Sequence, residues 1–230
     1  MQAFILLMKF LEYQRNNMNI MIPVSGGIDS GYLLAHALYA NYDVIPIIFD
    51  DKIPCKEMEA AYNLCKYYSI IPTILDIPNL NLLRVTYDIT NSSNSQQKAM
   101  ENVDYFSGYK FLMYSTTLSY AGALGNVDEI WWGINAWNDH FIDELKSTAD
   151  EFNLFWRKSY PELNIPKFAY PIYDLQKYEV LLKADEIGFP FHLCWSCFND
   201  EVTTPCGVCL GCLSLREAME KAIAEKNHAK

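Results

Sequence analysis

The fold of this chain is decided by the stretch Ser25-Gly26-Gly27-Ile28-Asp29-Ser30, which directly follows an apolar run from Asn19 to Val24. Leucine and alanine then recur at helical spacing up to Leu38. The pattern predicts a buried strand, a glycine turn and a helix in immediate succession. A strand that leads into a helix in this way is typical of α/β folds with a parallel sheet.

The turn itself has the chemistry of a phosphate-binding loop. Two glycines after a buried strand let backbone amides approach a phosphate closely, and the start of a helix adds its positive end. Ser25 and Ser30 can donate hydroxyl hydrogen bonds to phosphate oxygens, while Asp29 can hold the magnesium ion that neutralises a leaving pyrophosphate. A tight glycine turn with Asp29 as the helix cap would explain the same residues without a ligand. The strand and helix context favours the phosphate loop.

Strands and helices alternate along the rest of the chain. The pattern predicts strands at 43–49, 72–77 and 129–134, a further segment at 166–172, and helices at about 55–69, 109–124, 141–156, 176–187 and 213–226. We therefore expect an α/β fold, a parallel sheet flanked by helices. Residues 79–98 contain Asn91-Ser92-Ser93-Asn94-Ser95 and little periodicity, which predicts a mobile loop that covers the substrate.

The chain is expected to form one main domain, because 230 residues with 51% hydrophobic content can bury one sizeable core. Composition changes near residue 190. We therefore divide the chain into residues 1–17, a leader helix or an artefact of start-codon choice, residues 18–189, a nucleotide-binding domain, and residues 190–230, a metal-binding C-terminal lobe with a final helix. The apolar leader from Phe4 to Phe10 is a candidate interface for a homodimer.

Four of the seven cysteines crowd near the C-terminus in a CxxxxxxxxCxxCxxC array, formed by Cys197, Cys206, Cys209 and Cys212. Gly207 and Gly211 provide tight turns that let four thiolates converge on one ion, and zinc is the best fit. An iron–sulfur cluster uses the same ligands, and four unliganded buried thiols are the alternative without a metal. Four protein ligands would fill a tetrahedral site, which predicts a structural role. The remaining cysteines, Cys55, Cys65 and Cys194, are interpreted as packed thiols.

Charge and hydropathy narrow the class of partner. The chain has 28 acidic and 18 basic residues, and its net charge of −10 argues against broad attraction to nucleic acid or anionic membrane. A small-molecule substrate is therefore favoured. The apolar stretch at 3–11 is too short to span a bilayer and is interrupted by Lys9, and no signal-peptide pattern accompanies it. We expect a cytoplasmic protein with no membrane partner.

The loop resembles the PP-loop of ATP pyrophosphatases, whose SGGxDS signature is matched in full by residues 25–30. With the cysteine array, the chain looks like the 7-cyano-7-deazaguanine synthases of the queuosine pathway. The C-terminal motif of that family is matched by Trp195-Ser196-Cys197 and Pro205-Cys206-Gly207, its GVNA strand end is resembled by residues 133–136, and its PL…KxE segment by residues 171–179. The resemblance covers about residues 19–216. It implies a Rossmann-like, adenine nucleotide alpha hydrolase-like fold with a small zinc lobe.

The resemblance also implies ATP, Mg²⁺ and Zn²⁺ as cofactors, and a ligase reaction. A 7-carboxy-7-deazaguanine-like carboxylate would be activated as an acyl-adenylate with release of pyrophosphate, and ammonia would attack to give an amide and then a nitrile. The residues expected at the nucleotide are Val24, Ser25, Gly26, Gly27, Asp29, Ser30, Phe49, Asp50 and Gly133. The residues expected to act in catalysis are Ser25, Asp29, Ser30 and Lys177, with Lys177 as the cation near the α-phosphate. A solvated turn at Asp50 and a solvated Lys177 remain the alternatives.

The chain departs from the family where substrate should bind. The family's Pro-x-Arg-Asn segment is replaced by Phe106-Ser107-Gly108-Tyr109-Lys110, and the run after Asn135 is replaced by Trp137-Asn138-Asp139-His140-Phe141. Lys110 is a candidate replacement for the lost arginine. The expected substrate contacts are Lys110, Asn135, Trp137 and Asp139.

Three other functions share these features. A divergent relative could join the activated deazaguanine acid to an amine of a protein or nucleic acid. A PP-loop tRNA-modifying enzyme also uses adenylation, although it needs a basic RNA-binding surface that the acidic composition disfavours. A non-catalytic nucleotide-binding subunit would retain the fold, and the intact loop at 25–30 disfavours it.

Overall fold

The computed structural model describes residues 16–50, 55–77, 109–135, 139–199 and 202–228. The leader and the predicted mobile loop at 79–98 lie outside these ranges, apart from the last two residues of the leader, which begin the first strand. Within the described part of the chain, none of the helices combines the length and the apolar character that crossing a membrane requires.

The described residues form a five-stranded sheet in the order β3-β2-β1-β4-β5. Every neighbouring pair of strands is parallel, as the alternation of strands and helices predicts. The strands are β1 Asn16–Pro23, β2 Tyr42–Asp50, β3 Thr73–Asp76, β4 Glu129–Trp131 and β5 Lys167–Ala169. The helices are α1 Ile28–Tyr39, α2 Lys56–Tyr67, α3 Tyr109–Leu124, α4 Asp139–Ser159, α5 Lys177–Glu186 and α6 Leu210–His228. The predicted α/β fold is therefore confirmed.

The core lies on both faces of the sheet, because successive side chains of a strand point to opposite faces. In β1, Ile20 and Ile22 belong to one apolar cluster and Met21 belongs to the other. The first cluster includes residues of α1, α5 and α6, and the second includes residues of α3 and α4. Helices therefore cover both faces of the central strand, which explains why β1 is apolar along most of its length. Ala218 and Ala222 of α6 belong to the first cluster, so the last helix packs into the main core.

Strand β4 is shorter than predicted. The apolar run at 129–134 predicts a strand over its whole length, but β4 ends at Trp131. Its neighbour β5 has three residues. After β4 the chain turns, and the Ile134 amide donates to the Trp132 carbonyl at 2.9 Å. The residues at 132–134 continue the apolar run beyond β4 because they line a cavity.

Two helix starts also differ from the prediction. Helix α6 begins at Leu210 instead of about residue 213, because the Leu213 amide already donates to the Cys209 carbonyl at 2.9 Å. Cys212 consequently lies on the helix. Helix α4 begins at Asp139 and ends at Ser159, longer than the predicted 141–156.

Candidate active site and metal centre

The phosphate loop at 25–30 runs from the carboxyl end of β1 into the first turn of α1. Strand β1 is central, with β2 on one side and β4 on the other. The chain moves from β1 to β2 and β3 on one side and then crosses to β4 on the other, so the loop sits where the strand order reverses. Ligands bind at this position in open parallel sheets.

The loop is organised by its own hydrogen bonds. The Ser30 hydroxyl accepts from the Ser25 amide at 3.1 Å, and the two serine hydroxyl oxygens are 3.0 Å apart. The Gly27 amide donates to Ser25 Oγ at 3.3 Å, and the Gly31 amide donates to the Gly27 carbonyl at 3.0 Å. Gly26 has a φ of +90°, which favours glycine, and Gly27 caps α1 without a side-chain hydrogen bond. The first amides of α1 are therefore not occupied by a capping side chain, as an anion site requires.

Asp29 lies at the centre of a polar network. Its Oδ2 accepts from Lys177 Nζ at 2.5 Å, and its Oδ1 accepts from Asn135 Nδ2 at 2.8 Å. Lys177 begins α5, where Gln176 and Glu179 form a capping box that fixes the start of the helix. The side chains of Lys177 and Asp29 are 17% and 25% exposed, so the pair is shielded but reachable. The structure thus brings three predicted site residues, from three separate segments, into direct contact.

A cavity of about 390 Å³ opens beside the loop. Its polar side is formed by the loop, including Ser25, Asp29 and Ser30. The rest of its lining is mostly apolar and consists of Pro23, Val24, Ile48, Phe49, Cys55, Glu57, Met58, Ile77, Met113, Tyr114, Trp132, Gly133 and Ile134. A mostly apolar cleft with a few convergent polar groups is the usual form of a small-molecule site. The cavity can therefore hold a ligand with an apolar or aromatic part next to an anionic part.

Predicted nucleotide residues occupy different places around this cavity. Val24 and Phe49 line it, and Gly133 lets the chain after β4 approach α1, since a Cβ there would lie 3.0 Å from the Ser30 amide nitrogen. Asp50 ends β2 and accepts from the Ile77 amide through its carbonyl at 2.8 Å. Among the described residues, Asp50 is not part of the cavity lining.

Of the four expected substrate residues, the structure describes the side chain of Asn135 alone. Asn135 contacts Asp29, 106 positions away in sequence, and is 8% exposed. Trp137 lies outside the described residues. Lys110 and Asp139 lie in α3 and α4, and their side chains are outside what the structure describes.

Several cavity residues were not predicted as site residues, notably Met113, Tyr114, Trp132 and Ile134. Burial raises the pKa of Tyr114 to about 12, so its hydroxyl stays protonated at neutral pH. The sequence contained two usable signals. Apolar residues continue past the end of β4 at Trp131, and α3 has apolar residues on more than one face. Both features are typical of a wall that faces a ligand as well as a core.

The four-cysteine centre converges as predicted. The sulfur atoms of Cys197, Cys206, Cys209 and Cys212 all lie within 4.8 Å of one another. The Cys206–Cys212 and Cys209–Cys197 sulfur pairs are 4.0 and 3.9 Å apart. Four thiolates bound tetrahedrally at about 2.3 Å from zinc would be roughly 3.8 Å apart. The cluster therefore fits a Cys₄ zinc site with little rearrangement.

Backbone amides support this centre. The Asn199 and Cys206 amides donate to Cys197 Sγ at 3.4 and 3.3 Å, and the Phe198 amide donates to Cys209 Sγ at 3.4 Å. Backbone amides that donate to cysteine sulfur atoms stabilise thiolates that bind a metal. Hydrogen bonds from the Val208 and Cys209 amides lower the pKa of Cys206 to about 6, whereas burial raises the pKa of Cys212 to about 12. A cation must therefore displace a proton from Cys212 to complete the site.

The other cysteines differ from the metal centre. Burial raises the pKa of Cys65 to about 11 and that of Cys194 to about 12, so both are protonated at neutral pH. Cys55 caps α2, where its Sγ accepts from the Met58 amide at 3.4 Å. Cys65 is therefore a packed thiol as interpreted, whereas Cys55 is half-buried, caps α2 and lines the cavity.

Comparison with known proteins points to one family. The model of the family described as "Queuosine biosynthesis protein QueC" matches residues 19–223. A 7-cyano-7-deazaguanine synthase of Prochlorococcus marinus is 27% identical over 231 residues, which cover 92% of this chain and 97% of the relative. A 7-cyano-7-deazaguanine synthase of Picrophilus torridus is 28% identical over 200 residues, and the match covers 83% of this chain and 82% of the relative.

A solved structure shares the fold at greater distance. The structure described as a 4-thiouridine synthetase–RNA complex with bound ATP has a TM-score of 0.52 and 14% identity, and the match covers 92% of this chain and 53% of that one. Similarity at this level concerns the arrangement of strands and helices. It agrees with the PP-loop type of parallel sheet predicted from the sequence.

Proposed function

Because the chain belongs to the queuosine biosynthesis protein QueC family, we propose that it is an ATP-dependent ligase of the 7-cyano-7-deazaguanine synthase type. Its substrates are 7-carboxy-7-deazaguanine, or a close carboxylate analogue, and ammonia. The products are AMP, pyrophosphate and the amide, which a second activation converts into the nitrile. The observation that carries this proposal is the contact of Asp29 with both Lys177 and Asn135 inside a PP-loop.

The loop is suited to hold the leaving pyrophosphate. The hydroxyls of Ser25 and Ser30 and the first amides of α1 are donors for its oxygens. Because the loop is already formed by its own hydrogen bonds, binding orders few groups, which favours affinity. Asp29 supplies a carboxylate oxygen of the kind that Mg²⁺ prefers, and the ion would neutralise charge on the phosphates.

Lys177 is suited to act at the α-phosphate. Asp29 holds its ammonium group at the loop before ATP arrives, so the cation needs little reorganisation when charge develops. Asn135 holds the other oxygen of Asp29 and fixes the plane of the carboxylate. Asn135 therefore acts on the loop through Asp29 and not as a direct contact of the substrate.

The reaction balances as two displacements. A carboxylate oxygen of the acid attacks the α-phosphorus, the bond from that phosphorus to the bridging oxygen breaks, and pyrophosphate leaves. Ammonia then attacks the acyl carbon, AMP leaves with the former carboxylate oxygen, and one proton is lost to give the amide. The chain contributes by holding both partners in line and by excluding water from the acyl-adenylate.

The apolar part of the cavity is suited to the planar rings. Phe49, Tyr114 and Trp132 offer aromatic surfaces, and Met113 adds a flexible apolar side chain. The four-cysteine centre would hold zinc with all four positions filled by protein. Zinc there would supply structure, since no position is left for a substrate.

The test is product analysis with purified protein, ATP, Mg²⁺ and 7-carboxy-7-deazaguanine, with and without ammonia. We expect AMP and pyrophosphate to form when the acid is present, and mass spectrometry to detect the amide and then the nitrile when ammonia is added. Formation of ADP and phosphate would contradict the proposal. AMP without a free purine product would contradict ammonia as the acceptor and indicate an amine of a macromolecule. Binding of ATP without turnover would contradict an enzymatic role with this acid.

A further inference from the structure

Trp195 connects the phosphate loop to the four-cysteine centre by two hydrogen bonds. Its backbone amide donates to the Gly26 carbonyl at 3.0 Å. Its indole N–H donates to the Cys197 carbonyl at 2.7 Å. The same residue is therefore bonded to a glycine of the loop and to a candidate metal ligand.

The loop side of this connection has little freedom. A Cβ on Gly26 would lie 2.0 Å from the Glu57 carbonyl oxygen and 2.8 Å from the Ala61 amide nitrogen, so α2 packs tightly against that residue. The Gly26 peptide is thus held between α2 on one side and Trp195 on the other. Movement of Trp195 would remove one side of this support and allow the Gly26 carbonyl to rotate. The direction of the neighbouring amides, which the phosphates need, depends on that peptide.

On the metal side of this connection, the residues at 195–197 also pack closely against their neighbours. Cys197 is 1% exposed, and its sulfur lies 3.9 Å from that of Cys209. A Cβ on Gly211 would lie 1.9 Å from the Ser196 carbonyl oxygen, so α6 packs directly against the residue between Trp195 and Cys197. A metal bound to all four cysteines would join Cys197 to the start of α6. It would thereby fix the segment 195–197.

We propose that Trp195 is a positioning residue through which metal binding at the four-cysteine centre raises the affinity of the phosphate loop for ATP. The inference rests on the proposed binding of ATP at this loop. It adds that the two sites are coupled, so the metal contributes to nucleotide binding as well as to folding. By linkage, ATP binding strengthens metal retention by the same factor.

A cycle of metal removal and substitution measures the coupling. The wild-type protein and Trp195→Phe are each prepared in two forms. One is loaded with zinc, and the other is made metal-free by a chelator that is then removed. Binding of α,β-methylene-ATP with Mg²⁺ is measured by calorimetry. We expect Trp195→Phe with zinc to bind about threefold to tenfold more weakly than wild type, the range of one neutral hydrogen bond. Metal removal should weaken binding in wild type by about tenfold and in Trp195→Phe by clearly less.

Trp131→Phe is the matched control. It also removes an indole hydrogen bond, from Trp131 Nε1 to Glu129 Oε2 at 2.8 Å, and Trp131 is not among the described residues that line the cavity. We expect nucleotide affinity in this variant to stay within about twofold of wild type. An equal loss in both variants would contradict a specific role for Trp195. An equal effect of metal removal in wild type and Trp195→Phe would contradict the coupling.

Hydrogen exchange provides a second readout that does not need metal-free protein. In the zinc-loaded proteins, amides of residues 24–31 should exchange about threefold to tenfold faster in Trp195→Phe than in Trp131→Phe. Equal exchange would overturn the proposal even if the metal-free chain unfolds. Failure of zinc-loaded wild type to bind α,β-methylene-ATP would instead overturn the proposed function, and the exchange comparison would still test the connection.

Discussion

The phosphate loop and the four-cysteine centre are both short glycine-containing turns that lead into a helix, but they are held together differently. In the loop, hydroxyls and amides of residues 25–31 satisfy one another. In the centre, four sulfur atoms face one another, and the pKa of Cys212 is raised to about 12 by burial. The loop is thus organised by the chain, whereas the centre needs a cation to displace the proton that burial retains on Cys212.

Because of this difference, the phosphate loop and the four-cysteine centre should respond to different changes. The loop should be sensitive to the shape of its backbone and to the partners of Asp29. The centre should be sensitive to metal and to protons. Four predictions, ordered by expected effect, test whether the two regions respond in this way.

Asp29→Asn should cause the largest loss. The substitution keeps the shape of the side chain but removes the charge that holds Lys177 and would hold Mg²⁺. We expect kcat/KM for pyrophosphate release to fall by about 10³-fold, roughly 4 kcal/mol. Asp185→Asn is the control, because Asp185 forms an exposed ion pair with Lys226, and such pairs contribute little. Retention of activity in Asp29→Asn within about tenfold of wild type would contradict the role of Asp29.

Gly26→Ala should destabilise the protein by about 3 kcal/mol, since it combines backbone strain at positive φ with a Cβ 2.0 Å from the Glu57 carbonyl oxygen. Gly125→Ala isolates the strain, because Gly125 has a φ of +71° and nothing within 4 Å of an added Cβ. We expect that control to cost about 1 kcal/mol. Urea denaturation measures both. Equal costs would show that the loop tolerates displacement of α2 and is less rigid than the structure indicates.

Zinc should stabilise the wild-type protein by about 2.7 kcal/mol at a free concentration one hundred times its Kd. Cys209→Ser should lose this gain, while Cys65→Ala, another buried cysteine, should keep it. Because a metal must displace the proton that burial retains on Cys212, zinc affinity should fall as the pH is lowered. Competition with a chromogenic chelator between pH 6 and 8, roughly spanning neutrality, measures this trend. Affinity that does not change with pH would contradict a thiolate site.

Asn135→Ala should have the smallest effect, about 1.5 kcal/mol or roughly tenfold in kcat/KM for ATP, the value of one hydrogen bond to a charged group. Its control is Asn153→Ala, which removes another buried amide that donates to the Pro166 carbonyl at 2.9 Å. Asn135 and Asn153 are 8% and 7% exposed, so both substitutions should cost stability. We expect a change in ATP kinetics in Asn135→Ala alone of these two. Equal kinetics in both variants would remove Asn135 from the site.

The two regions also differ in how far the sequence predicts them. The phosphate loop and the cysteine array are local patterns, spanning 25–30 and 197–212, so residue type and spacing are enough to identify them. Asn135 was predicted as a substrate contact, and its place beside Asp29 depends on β4 pairing with β1 across more than a hundred residues. The contact of Trp195 with Gly26 joins residues that are still farther apart in sequence. Local patterns do not encode such contacts.

The predicted end of β4 shows the same limit. Trp132, Gly133 and Ile134 continue an apolar run, and strand propensity favours extending the strand through them. The Trp132 amide still donates to the Ala169 carbonyl at 3.0 Å, but β5 ends at Ala169, and Gly133 and Ile134 line the cavity. Tertiary context therefore overrides the local preference at the place where the chain turns towards the site.

The most direct test of the central claim is transfer of ¹⁸O from the acid to AMP. The protein is incubated with ATP, Mg²⁺, ammonia and 7-carboxy-7-deazaguanine labelled in its carboxylate, and AMP is analysed by mass spectrometry. If the carboxylate attacks the α-phosphorus, one labelled oxygen appears in each AMP released at the first step. Unlabelled AMP, or ADP with labelled phosphate, would contradict adenylation of the acid at this loop.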